Sequence, residues 1–167
     1  EQLSLAGSGA STTGALRNVS GNNSVDGTIT LTAATRINSD ADILTLTGGI
    51  SGTQNLTVGG AGATNISGII GTGTGALTKD GVGTVTLSAA NIYDGATTVS
   101  VGTLNVRNAS ALGTTVGGTT VATGAALSIE NSTTVTGEAL SLSGTGVSNG
   151  GALRSVSGDN AYTGAIT

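Results

Sequence analysis

Cysteine, proline, histidine, methionine, tryptophan and phenylalanine are all missing from this chain. Without histidine or cysteine there is no imidazole base, no thiol nucleophile and no His or Cys metal ligand. No disulfide can form, which fits an exported chain and equally an intracellular one. The only aromatic residues are Tyr93 and Tyr162. A β-sandwich usually anchors its core on large aromatics. Their scarcity favours a narrow, even interior of Val, Leu, Ile and Ala. Charge is sparse too: nine acids and five bases give a net −4. No basic stripe exists to neutralise phosphates, so nucleic acid is not an expected partner. No signal peptide and no run of about eighteen apolar residues is present, so this segment is not expected to insert into a membrane. Disorder is not expected either, because the mean hydropathy is +0.25 and only 8% of residues are charged.

What the chain has is glycine, 30 residues of it, between very short alternating runs. Gly81–Val106 holds three such runs: Val85-Thr86-Leu87, Val99-Ser100-Val101 and Leu104-Asn105-Val106. Alternation sends one side chain inward and the next outward. Runs this short are far below the length of a stable helix. Connectors such as Gly102-Thr103 leave no room for a crossover helix. The same grammar predicts strands at Leu3–Leu5, Ala15-Leu16, Val19, Thr28–Thr32, Ile43–Leu46, Asn55–Val58, Asn65-Ile66, Ile69-Ile70 and Ala76-Leu77. Beyond Val106 it predicts Val116, Thr120-Val121, Ala126–Ile129, Thr133–Val135, Leu140–Leu142 and Leu153.

Leu87–Val106, reading LSAANIYDGATTVSVGTLNV, resembles the autotransporter-associated β-strand repeat. The resemblance rests on Asn91, Tyr93, Gly95, Gly102 and Leu104 at that family's spacing, within a match over 81–130. Ala90, Ile92 and Asp94 depart from its usual Gly and two Thr. The pattern contains no catalytic residue. It implies a right-handed parallel β-helix, secreted or displayed on the surface of a Gram-negative-type bacterium.

Two internal periodicities support a solenoid. Residues 138–167 align without gaps on residues 1–30, with 18 of 30 identical, an offset of 137. The chain therefore reads as a single β-helical segment, one long repeat over 1–137 and the start of the next over 138–167. A shorter echo places Asn23 with Gly27, Asn91 with Tyr93 and Gly95, and Asn160 with Tyr162 and Gly164, at spacings of 68 and 69. About three coils in the low twenties fit each interval. That predicts an all-β solenoid of roughly seven to eight coils, some 35 Å long. Asn and Gly are expected to supply left-handed backbone at the corners, with both tyrosines packed beside them.

Few residues offer chemistry. Asp40 and Asp42, in Asn38–Asp42, are the densest acidic spot. Calcium needs several carboxylate oxygens, and the serial Gly-Gly-x-Gly-x-Asp of calcium β-rolls is missing. A solvated turn is the expectation there. Lys79 and Asp80 are neighbours, so a strand would point them to opposite faces. Arg17 and Arg154 hold equivalent repeat places and imply a structural or surface role. Thr-x-Thr triplets at 28–30, 30–32, 45–47 and 84–86 do not recur at one spacing, as a flat ice-binding array would require. Sequons at Asn65, Asn108 and Asn131 are expected by chance in so Asn- and Ser/Thr-rich a chain.

These readings predict a non-catalytic structural or adhesive segment without cofactor or metal. Its expected place is the extracellular face of a bacterium. Its expected partners are a surface ligand (glycan, matrix or identical rods) and itself, end to end or side by side. A filament or sheath subunit is the alternative reading. A carbohydrate-active enzyme and an ice-binding solenoid rank behind both.

Overall fold

The short alternating runs build parallel ladders and no hairpins. In the computed structural model, which describes residues 1–167, every strand pair is parallel. There is no α-helix, and the two helical pieces are single 3-10 turns at Ala10–Thr12 and Val147–Asn149. No helix is long and apolar enough to cross a membrane.

The chain winds as a parallel β-solenoid with three faces to each coil. The first face holds Leu3–Gly7, the start of Ile29–Ser39, Ile50–Gly52 and Ile70–Gly71. Ile29–Ser39 then turns a corner within one long strand. Its end joins the second face, with Leu16–Asn18, Leu56–Gly59, Leu77–Lys79, Thr97–Val99, Thr119–Val121 and Leu140–Leu142. The third face stacks Asn23–Val25, Ile43–Leu46, Ala63–Ile66, Thr84–Leu87, Gly102–Val106, Ala125–Glu130 and Leu153–Ser157. Thr134–Val135 and Ala161–Tyr162 return to the first face at the far end. Seven strands on the third face bound six complete turns, and partial coils at both ends bring the count close to the seven or eight expected.

Registered pairing stacks like side chains over like. Val25, Leu46, Ile66, Leu87, Val106 and Ile129 form one interior column. Leu16, Ile37, Val58, Lys79, Val99, Val121 and Leu142 form another. One cluster of 26 buried residues results, and Tyr93 is its one buried aromatic. Each fully buried aliphatic side chain contributes about 1.5–3 kcal/mol. Glycine makes the corners thin enough for coils to meet. Gly75, Gly95 and Gly117 stack directly, and a Cβ on Gly95 would lie 2.3 Å from the Gly75 carbonyl oxygen.

Most predicted strands are present, strands at Asn23–Val25 and Ala161–Tyr162 are added, and other details differ. Val19 and Val116 lie outside strands and are 61% and 77% exposed, because each sits at a corner. The strand at Val99 ends there, leaving Val101 exposed. Asn38–Asp42 begins inside a strand: Asn38 and Ser39 are buried at the end of Ile29–Ser39.

Candidate functional site

Two of the three repeat asparagines fasten one coil to another. Asn91 is buried and bridges the coils on either side of it. Its Oδ1 accepts the Ile70 amide at 2.9 Å and its Nδ2 donates to the Ala111 carbonyl at 2.6 Å. Asn160 likewise accepts the Thr133 amide of the coil below at 2.9 Å and donates to Ile129 O at 3.1 Å. Asn23 lies exposed on the third face and donates to Asn18 Oδ1, Ser20 O and Gly21 O, within its own coil.

None of these three asparagines has a positive φ, and neither do Gly27, Gly95 or Gly164. The expected left-handed corners are not how they act. The asparagines act through their side-chain amides. The glycines act by close approach: a Cβ would lie 1.4 Å from Glu1 O at Gly27 and 1.7 Å from Glu138 O at Gly164. Gly102 does need left-handed backbone, with φ 71°. Leu104 is fully buried between Val85 and Leu127.

The tyrosines go further inward than a corner packing would take them. Tyr93 is fully buried, and its hydroxyl shares a hydrogen bond with Thr97 Oγ1 at 2.8 Å. Burial pushes its ionisation above the usual tyrosine range. Tyr162 packs against the core half-buried, and its hydroxyl has no partner. The residue four places on is Ile166 where Tyr93 has Thr97.

Several charged residues are also tied into the frame. Arg17 pairs with Asp40, and that hydrogen bond holds the carboxyl below its usual range. Asp42 Oδ2 accepts the Gly21 amide at 2.7 Å. No three acidic side chains converge on a point that would hold a metal. Arg36 reaches Asp80 at 2.6 Å across two coils, and Arg107 pairs with Glu130. Lys79 does point away from Asp80, into the core. Its Nζ donates to the carbonyls of Asp80, Gly81 and Val101 at 2.8–3.0 Å. Desolvation pulls its pKa down to about 8.

The outer side of the second face is the most regular surface. Thr57, Thr78, Thr98, Thr120 and Ser141 stand in register, one hydroxyl per coil. The triplets that stand out in the sequence did not point to this file, because it takes one threonine from each of several different coils. Short side chains flank it, including Ala76, Ala96 and Ala139. It is a comb of hydroxyls about 4.8 Å apart, with Arg36 in register beneath Thr57 at its lower end.

The stretch that carries Asn91, Tyr93 and Gly95 also has a counterpart among known repeats. Residues 77–106, which contain Lys79, Asn91, Tyr93 and Gly95, match the family model of the passenger-associated transport repeat. A relative, the adhesin BmaC autotransporter of Brucella suis biovar 1 (strain 1330), is 37% identical over 101 residues, 57% of this chain. The chain spans about 3% of the length of that relative. No solved structure matches the chain.

Proposed function

We propose that this chain is a stretch of a non-catalytic adhesive stalk, displayed on or secreted from a bacterial cell. The observation that carries it is the unbroken parallel solenoid with the hydroxyl comb of Thr57, Thr78, Thr98, Thr120 and Ser141 on its outside. Regular hydroxyls on a stiff face suit many weak contacts at once, with glycan or matrix surfaces. The passenger-repeat match and the adhesin relative support the same reading. The non-catalytic part of the reading is supported by three of the four arginines, Asp40, Asp80 and Glu130 being engaged in ion pairs within the rod.

Beads coated with the purified chain should adhere to cells or to matrix-coated surfaces, and Thr78→Lys with Thr98→Lys should reduce adherence several-fold. Equal adherence by coated and bare beads would overturn the proposal. The second reading is a self-assembling filament subunit. Light scattering distinguishes it, since a filament subunit gains mass with concentration.

A further inference from the structure

Residues 138–167 copy residues 1–30 in backbone as well as in sequence. Ser11 and Ser148 both have φ 51°, and Thr12 and Asn149 both have φ 60°. Leu3 pairs with Ile29 as Leu140 pairs with Ile166, an offset of 137 in both cases. Yet equivalent strands occupy different faces. Leu3–Gly7 lies on the first face and Leu140–Leu142 on the second. Leu16–Asn18 lies on the second and Leu153–Ser157 on the third. Asn23–Val25 lies on the third, and Ala161–Tyr162 on the first face of the next coil. Every element has advanced by one face. The 137-residue period is six turns and a third, about 30 Å of rise at about 4.8 Å per coil.

We propose that successive 137-residue repeats form one continuous solenoid, each copy turned by one face and raised about 30 Å from the one before, with the underside of the first coil as the seat for a preceding copy. The second copy shows what that seat is made for. Leu140–Leu142 rests on Thr119–Val121, Leu153–Ser157 on Ala125–Glu130, and Ala161–Tyr162 on Thr134–Val135. At this seam Glu138 is buried and accepts a hydrogen bond from Thr119 Oγ1 at 2.9 Å, and Asn160 Oδ1 accepts the Thr133 amide. Their equivalents Glu1 and Asn23 are exposed, and Asn23 uses only its Nδ2. A preceding copy supplies both missing partners, its own Thr119 hydroxyl and Thr133 amide. Any feature carried once per repeat then appears on the first, second and third face in turn. It returns to its starting face after three copies, about 90 Å along the rod. Contacts made by such a rod are therefore spread around its circumference, whatever it binds.

The absence of cysteine makes the test clean. The full chain is extended at its N-terminal side by one further copy of residues 1–137. Cysteines replace Thr120 in the added copy and Ser4 in the copy that follows, both outward-facing positions. A disulfide is expected, because Ser4 then stands over Thr120 as Ser141 does in this chain. A control pair, Thr134→Cys with Ser4→Cys, reports stacking without rotation and should stay reduced. Small-angle scattering should show the longest dimension growing by about 30 Å. A disulfide in the control pair, in neither pair, or a jointed two-bead profile would overturn the proposal. None of these readouts depends on adhesion, so the stalk reading stands or falls separately.

Discussion

At the residue scale this narrow core holds one lysine, Lys79, which is 1% exposed. It occupies an interior column between Val58 and Val99, where desolvation lowers its pKa from 10.5 to about 8. Between those two values the unfolded chain holds a proton that the folded chain lacks. Stability therefore rises with pH across that window. The rise is on the order of 3 kcal/mol if the whole window is traversed. Tyr93 and Tyr162 act in the opposite sense. Burial raises both above 10.0, so unfolded tyrosine ionises first and stability falls above that pH. Urea unfolding followed by circular dichroism should show a stability maximum near pH 10, and in Lys79→Met the climb from pH 8 should vanish. A wild-type chain with a flat profile from pH 8 to 10 would refute the buried charge. Lys79 was legible only in part. Alternation turned it away from Asp80, but nothing in the sequence named the three carbonyls that hold it, which come from two coils.

At the scale of the element, the legible part was the inward and outward alternation, because side-chain period two is a local property. The strand leg at Thr35–Ser39 was missed because its only aliphatic residue is Ile37. Its neighbours are held by long-range partners: Arg36 by Asp80, and Ser39 by Asn18, whose Nδ2 donates to the Ser39 hydroxyl at 3.1 Å. The asparagine and tyrosine positions were legible as a pattern and not as a mechanism, since Asn91 and Asn160 act across coils through residues distant in sequence. Tyr93 and Tyr162 occupy matching positions and differ by one partner. Ile166→Thr should give the Tyr162 hydroxyl the bond that Thr97 gives Tyr93, raising stability by about 1 kcal/mol. Ile166 is 48% exposed, so little apolar burial is lost in exchange. Thr97→Ile should cost about 1–3 kcal/mol by stranding a fully buried hydroxyl. Equal urea midpoints for the two variants and wild type would show that the hydroxyls are not the deciding groups.

The whole molecule is a one-dimensional stack, in which each coil packs on the coils above and below and the Arg36–Asp80 pair alone among the ion pairs spans two coils. Stability is then a sum of coil and interface terms, and the same lesion has different consequences at different heights. Gly95 and Gly164 are a matched pair for this. Each abuts a carbonyl of the coil beneath, at 2.3 Å and 1.7 Å from a built Cβ, and each precedes a strand or bridge of the second face. Substitution by alanine forces the coils apart locally in both, at a cost of about 1–3 kcal/mol or more. Gly164→Ala leaves the coils below it intact, so only the last coil should lose amide protection. Gly95→Ala wedges open the middle of the column formed by Leu77, Thr97 and Thr119. Hydrogen exchange should then rise on both sides of the wedge, in Leu77–Lys79 and in Thr119–Val121, with a larger loss of melting temperature despite the less severe clash. If the Gly164 variant instead loosened every coil equally, the rod would be folding as one indivisible globule, and neighbour-by-neighbour stacking would not describe it.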